Sequence, residues 1–449
     1  MRTPFLQYLY LQKPITLVVI ICAISVLPWS GIEQVTTGGK PCNAAVAASM
    51  LESGNWVLPP SSAVAYHPPM AHWLMAAFSY HQGYVSDFTS RLPSVFAFIL
   101  LIGCSLMFFG ERIKFQEAFI STLLLLTCVE THRAGMTTEA DMLFTAFMVL
   151  ALYTMYRWEN KLELKGLPVI IPFLTGCAVL TKGLTSILLP LFIFGTYLLI
   201  LNKHRLRTIL KALLYTGISS LFLPLIWYVA AWKQGGDAFL QAVLAGNAHW
   251  VSRFDPLSLM TGFMPWTLFF FFSLFGLKRL RPALPFGRFL KEMWRRICAM
   301  EKIKLFSLTA LVCIILFCSI FSGEQSVYAL PAYPFITLFL AQYALYLTEY
   351  RTRVIRTFAV VLLFVIAAVL VASGLAAAHV IDPLPVVPVL PGDCSILSLT
   401  GLLFVILFAM GTVIYQLFKR INIKILYATI ALIFASNLFI DWLMSMVEK

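Results

Sequence analysis

The sequence predicts an all-α polytopic membrane protein of about thirteen transmembrane helices, and three observations predict it. Of 449 residues, 60% are hydrophobic and 12% charged, with a mean hydropathy of +0.86, a balance too apolar for a water-soluble domain and ordinary for a multi-span bundle. The apolar residues come in long unbroken runs, whereas a spanning barrel shows alternating segments of about ten residues. Most of the 33 Lys and Arg fall in every second loop, the bias of a cytoplasmic face.

Taken in order, runs able to cross hydrocarbon are expected near 15–30, 94–110, 117–131, 141–157, 168–181, 184–201, 209–231, 259–276, 305–321, 329–348, 357–379, 396–418 and 425–443. The third and fifth are short for a bilayer. The first resembles a signal peptide superficially, but its removal would take away a span that the charge bias needs, so it reads as retained. With the N-terminus cytoplasmic and the C-terminus outside, the inner loops hold Arg112, Lys114, Lys203, Arg205, Arg207, the basic block from Lys278 to Lys304, Arg351, Arg353, Arg356, Lys419, Arg420 and Lys424. Shifting the count by one span in mid-chain destroys this bias.

The formal net charge of +13 is therefore chiefly a topology signal. Basic residues confined to short inter-helix loops argue against nucleic acid and for attraction to anionic membrane lipid. No Cys spacing suggests a metal site. Cys22, Cys104, Cys128, Cys177, Cys313 and Cys318 lie in or beside apolar runs and read as small packing residues. Cys42 and Cys394 alone fall on the outer side, where a disulfide and two free thiols are both open. Asp382 to Pro391 reads as a stiff Pro-rich outer connector.

The long polar interruption at 31–93 is where aqueous chemistry is expected, because polar groups at a membrane are costly to keep unless used. It supplies Lys40, Tyr66, His67, His72, Asp87 and Arg91 to the outer side. Later outer segments add Glu130, His132, Arg133, Glu139, Asp141, Lys182, His249, Arg253, Asp255 and residues 324–328. Carboxylates and cations on one face suit a polyanionic lipid substrate together with an acid/base step.

Six segments carry a resemblance. Met50-Leu-x-x-Gly-x-Trp56, Tyr66-His-Pro-Pro69 with Trp73, Arg91-Leu-Pro-Ser94, Leu180-Thr-Lys-Gly183, Pro265-Trp266 and Tyr328-Ala-Leu-Pro-Ala-Tyr-Pro334 stand in order over about residues 30–340. Together they resemble the landmarks of GT-C type integral-membrane glycosyltransferases, specifically the lipid A aminoarabinose transferase and protein O-mannosyltransferase relatives. The resemblance implies a GT-C fold with outer-face juxtamembrane loop helices. It also implies transfer of a sugar from a polyprenyl-phosphate carrier to a lipid or protein acceptor on the outer face. A carboxylate would receive the acceptor proton while cations hold the leaving phosphate.

Carried over residue by residue, Asp141 matches the second family acid and is the expected catalytic carboxylate, with helix N-capping as its structural alternative. His67 stands where close relatives have Lys and is assigned with Asp141 to the reaction; a hydrogen-bonded loop residue is the alternative. Tyr66, Arg91, Arg133, Lys182, Arg253, Tyr328 and Tyr333 are the expected substrate-binding residues. Snorkelling charges and an interfacial Tyr belt are the plainer readings of the cations and tyrosines. His72 reads as structural.

The sequence departs from the family at Gly39-Lys40, where the first-loop acid is expected; Glu33 replaces it only if the loop shifts by several residues. It lacks the His-containing stretch between Arg253-Phe254 and Pro265-Trp266, and Glu324-Gln325 stands where many relatives are basic. No cofactor or metal is expected.

The whole chain, 1–449, reads as one membrane unit: a catalytic-type module to about 345, including the outer loop 31–93, then C-terminal helices 346–449 with an outer loop at 380–395. An inner-membrane glycosyltransferase is the leading expectation. A catalytically impaired paralogue that binds a lipid carrier or scaffolds glycan assembly is the rival, motivated by Gly39-Lys40 and Glu324-Gln325. Transport is a third reading, and the broken-helix repeats that would favour it are not found.

Overall fold

The structure, a computed structural model, describes residues 4–29, 43–60, 68–162, 166–246, 256–275, 286–321, 326–377 and 396–447. These residues form helices and connecting turns, with no strand among them. In chain order the helices are α1 (Pro4–Val26), α2 (Asn43–Ser53), α3 (Met70–Ser79), α4 (Asp87–Gly110), α5 (Phe115–Thr127), α6 (Val129–Met136), α7 (Asp141–Glu159), α8 (Ile170–Lys182) and α9 (Leu188–Leu201). The second half contributes α10 (Leu206–Gly246, broken at Gly236), α11 (Pro256–Gly262), α12 (Trp266–Phe275), α13 (Phe286–Cys298), α14 (Lys302–Phe321), α15 (Tyr333–Tyr350), α16 (Thr352–Ala377), α17 (Ile396–Lys419) and α18 (Asn422–Val447).

Each expected span falls on a helix or helix pair. Among the described residues, eight helical segments are long and apolar enough to cross a bilayer, and a ninth arises if α6 and α7, bent by 113°, count together. The helices α5 and α8 are shorter, matching the two spans whose apolar runs were short. A helical bundle is the one way to bury this much apolar chain while every backbone N–H and C=O finds a partner within its own segment. Within the helices, hydroxyls follow the same rule: Thr145 donates to the Asp141 carbonyl at 2.8 Å and Thr181 to the Cys177 carbonyl at 2.7 Å.

Of the boundaries that differ from the sequence reading, one bears on the site. The helix expected from 94 begins at Asp87, so Arg91-Leu-Pro-Ser94 lies in its opening turns. Ser86 accepts from the Thr89 amide, and the Thr89 hydroxyl accepts from the Ser86 amide, a reciprocal cap that starts the helix within a polar stretch. A hydropathy walk passes over this start because Asp87, Thr89, Ser90 and Arg91 interrupt the apolar run.

Large side chains fully enclosed by the bundle include Phe98, Phe144, Phe194, Tyr197, Trp266, Phe306 and Phe335. Polar pairs fix the neighbours of the core: Ser121 donates to Thr337 at 3.1 Å between α5 and α15, and Gln342 donates to Glu117 at 2.7 Å. At Gly176 an added Cβ would meet the Ser220 carbonyl at 3.1 Å, so this glycine permits the close approach of α8 and α10. The described cysteines Cys22, Cys104, Cys128, Cys177, Cys313 and Cys318 are free thiols, five of them buried, in keeping with a packing role; Cys42 and Cys394 lie outside the described residues.

The polar contacts sort the loops into two ends. At one, Arg157 reaches Glu111 at 2.9 Å and Glu159 collects Lys203 and Lys302, which joins loops expected on the cytoplasmic side. At the other, Asn43 Nδ2 donates to the Thr138 carbonyl and Ser94 to the Glu139 carbonyl, both at 3.1 Å, which joins loops expected outside.

Candidate active site

The second of these ends carries the candidate site. Its floor is the sharp turn between α6 and α7, residues 137–140, pinned by Asn43 and Ser94. The same Asn43 accepts through Oδ1 from Nε2 of buried His72 at 3.2 Å, a contact in keeping with the structural reading of His72. Held this way, Asp141 becomes the first residue of α7. Ala140 occupies the N-cap and makes no side-chain cap, so the Asp141 carboxylate does not cap the helix in its own place.

Instead its Oδ1 lies 2.6 Å from Lys182 Nζ. This is an ion pair held by charge, and Oδ1 makes no well-directed hydrogen bond. Lys182 closes α8, and Gly183 ends that helix in a conformation, φ +92° and ψ −178°, that L side chains rarely adopt. The neighbouring helices thus present a carboxylate at one N-terminus and an ammonium at the adjacent C-terminus, each in the favourable field of its own helix dipole. Their side chains are 15% and 23% exposed, so the pair is sheltered and still reachable.

On the other side of the turn, Arg133 grips Glu130 through two parallel bonds, Nε to Oε2 at 3.1 Å and Nη2 to Oε1 at 2.6 Å. The bonded Glu130 raises the Arg133 pKa from its ordinary value, burial opposes it, and the fields of Glu130, Asp141 and Glu139 add to the rise. Glu130 and Tyr333 meet at Gly262: a Cβ added there would fall 2.6 Å from the Tyr333 hydroxyl and 2.9 Å from Glu130 Cβ. Tyr333 itself is buried, with its ring edge-on to Phe263 and its hydroxyl 3.5 Å from the Leu259 carbonyl.

Of the residues singled out in the sequence, Asp141, Lys182, Arg133 and Tyr333 are thus gathered around the α6–α7 turn with Glu130. Arg91 lies in the second turn of α4 at 3% exposure, enclosed by protein. Tyr66, His67 and Arg253 lie outside the described residues, as do Glu33, Gly39, Lys40, Glu324 and Gln325, and of Tyr328 only the backbone is described. Among the described residues, no group of three His, Cys, Asp or Glu stands close enough to hold a metal ion.

Two landmarks prove to be braces. Trp73 Nε1 donates to the Trp56 carbonyl at 2.6 Å, and fully buried Trp266 donates from Nε1 to Thr127 Oγ1 at 3.0 Å.

One partner was missed by sequence reasoning. His132 Nε2 lies 2.6 Å from Asp441 Oδ2, with both side chains largely buried, and the His132 ring stands edge-on to Phe98. The signal for Asp441 was available: it is a lone carboxylate in a long apolar helix, the kind of residue a membrane segment keeps only with a partner.

With the site described, similarity to known proteins becomes specific. The family described as dolichyl-phosphate-mannose-protein mannosyltransferase matches residues 66–232, which include Asp141 and Lys182. Crystal structures of ArnT from Cupriavidus metallidurans, bound to undecaprenyl phosphate and in the apo state, superpose with TM-scores of 0.64 and 0.63 at 18% identity. Each covers 94% of this chain, and 77% and 76% of the solved chains respectively. The chain resembles the GT-C type membrane glycosyltransferases.

An undecaprenyl phosphate-α-4-amino-4-deoxy-L-arabinose arabinosyl transferase of an Enterobacter species is 24% identical over 319 residues, covering 67% of this chain and 54% of that relative. The transferase of the same description from Shewanella sediminis is 22% identical over 195 residues, covering 42% of this chain and 35% of that relative. An uncharacterized protein of Aquifex aeolicus is 27% identical over 314 residues, 66% of this chain and 57% of that relative. The chain therefore spans about half the length of the relatives it matches, or less. The likeness to the solved structures establishes the GT-C fold, a polytopic all-helical membrane bundle.

Proposed function

We propose that this chain is a polyprenyl-phosphate-sugar-dependent glycosyltransferase of the inner membrane, passing a sugar to a lipid or protein acceptor at the outer face. The observation that carries the reading is the Asp141–Lys182 ion pair at 2.6 Å, set beside Arg133 on the floor of one end of a GT-C bundle. In this reading the N-terminus is cytoplasmic and the C-terminus outside, so that this end faces out.

The chemistry follows from what each group can do. The carrier phosphate competes for the Lys182 ammonium and draws it toward the leaving oxygen, which frees a carboxylate oxygen of Asp141 for an acceptor hydroxyl. The acceptor oxygen attacks the anomeric carbon, its proton passes to Asp141, and the bond from the anomeric carbon to the phosphate oxygen breaks. The polyprenyl phosphate departs with the electron pair, held by Lys182 and Arg133. The step inverts the anomeric centre and needs neither a covalent intermediate nor a metal. His67, Tyr66, Arg91, Arg253, Tyr328 and Tyr333 complete the proposed substrate site on the strength of the family pattern.

A second reading has its own observation: Asp141 is neutralised by Lys182 and Arg133 by Glu130, a saturated arrangement that also suits a protein that only binds a carrier. The experiment measures sugar transfer from a polyprenyl-phosphate donor to the native glycolipid pool in membranes, beside carrier binding. Transfer by wild type that collapses in Asp141→Asn with binding intact supports the enzyme. Binding with no transfer by wild type supports the paralogue.

A further inference from the structure

The opposite end of α7 opens on a second cavity, of about 770 Å³, that the transfer reaction does not use. It is lined by Trp158 from the last turn of α7, Leu162, Gly166 and Leu167 from the loop that follows, Arg205 just before α10, and one face of α10. Trp158 lies 17 residues beyond Asp141, which at 1.5 Å per residue places it about 25 Å away along the helix, on the far side of the bundle.

The α10 face has a regular composition. Arg205, Thr208, Ala212, Tyr215 and Ser219 recur at spacings of three and four and form a single stripe, with Lys211 beside it. From Arg205 to Ser219 the stripe runs about 21 Å, longer than the roughly 15 Å of hydrocarbon in one leaflet. Its two cations stand at the loop end, and its deeper part is uncharged. Neither Arg205 nor Lys211 has an ion-pair partner among the described residues. The nearby Lys203 and Lys302 are instead taken up by Glu159. A cavity with two cations at its mouth that make no ion pair among the described residues, and a long neutral wall running into the hydrocarbon, is complementary to one class of molecule, an amphiphile with an anionic phosphate head.

We propose that this cavity binds an anionic glycerophospholipid from the leaflet at this end of the bundle. Its phosphate sits between Arg205 and Lys211, and an acyl chain lies along Thr208, Ala212, Tyr215 and Ser219 against Trp158. The site is separate from the Asp141–Lys182 end and does not rest on the transfer reading.

The test uses the full chain in detergent, with bound lipid counted by native mass spectrometry. The probes are dioleoyl phosphatidylglycerol, dioleoyl phosphatidylcholine, dihexanoyl phosphatidylglycerol and inorganic phosphate. The expected result is at least tenfold preference for dioleoyl phosphatidylglycerol over the choline lipid, and no displacement of it by inorganic phosphate at equal concentration. The exposed pair Arg205→Gln/Lys211→Gln should remove that preference. Ser219→Trp, which fills the deep end, should weaken the dioleoyl lipid tenfold while leaving the dihexanoyl lipid unchanged. Equal binding of the choline lipid, or a preference that survives the double variant, overturns the head assignment. Unchanged dioleoyl binding in Ser219→Trp overturns the chain assignment and moves the lipid to the outer basic surface. Displacement by phosphate reduces the site to a phosphate site and overturns the lipid.

Discussion

The two ends of α7 carry the same chemistry, a carboxylate facing ammonium groups, in opposite settings. Glu159 is 1% exposed and holds Lys203 at 3.2 Å, Lys302 at 3.3 Å and His204 at 3.5 Å, which binds the last turn of α7 to the α9–α10 loop and to the start of α14. Asp141 is 15% exposed and faces Lys182 alone among the ion pairs of the described residues. A carboxylate with two ammonium neighbours, an imidazole beside it and no access to solvent is a rivet. One with a single neighbour and partial access is able to exchange that neighbour for a ligand. Burial and the number of partners, rather than residue type, separate the structural end from the one proposed to react.

The largest effect that would break this contrast is on stability at the Glu159 end. Lys203→Met/Lys302→Met leaves a buried carboxylate with only His204 and should cost about 3–5 kcal/mol, read from chemical unfolding in detergent. Glu159→Gln should cost less, about 2 kcal/mol, because the two stranded lysines are half exposed and re-solvate. A larger loss in the Glu159 variant than in the double variant would show that the rivet description is wrong.

At the other end, Asp141→Asn should leave the melting temperature within a few degrees of wild type while lowering sugar transfer on the order of a hundredfold or more, the scale of general acid/base catalysis. A variant that unfolds would make Asp141 another rivet and erase the distinction. Lys182→Ala should weaken binding of polyprenyl phosphate by roughly 1.5–3 kcal/mol, the range of a charge-assisted contact, as measured by titration of the purified protein. Unchanged affinity would mean that the ammonium serves Asp141 only. The smallest effect belongs to Trp266→Phe, which removes the hydrogen bond to Thr127 and should cost about 1 kcal/mol of stability with carrier affinity unchanged; weaker carrier binding would give this landmark a role beyond bracing.

The helices were legible because each is written in a contiguous apolar run, and the alternation of basic loops sorted the connections into two sets that the Glu111–Arg157 and Glu159 contacts keep together. Asp141 and Lys182 were legible as single residues from the family pattern. Their pairing was not, since it depends on how α7 and α8 pack as neighbours. Arg91 was read as an outer-side substrate-binding residue; the cap at Ser86 draws its polar stretch into a helix, and the side chain is buried there. Trp266 was legible as a family landmark, but its role as a clamp on α5 was not, because the contact with Thr127 spans 139 positions. The His132–Asp441 contact spans 309 positions, a separation over which local pattern carries no information.

That contact sets an order in time. A chain made from its N-terminus inserts α1 to α7 early, and the floor beneath Asp141 then waits for α18 to arrive with Asp441. Until α18 docks, His132 lacks the carboxylate that holds its ring, and the turn beside it lacks one of its anchors. Completion of the floor thus waits on α18, so that a nascent chain that has not yet reached α18 would have α1 to α7 in place and an unfinished floor.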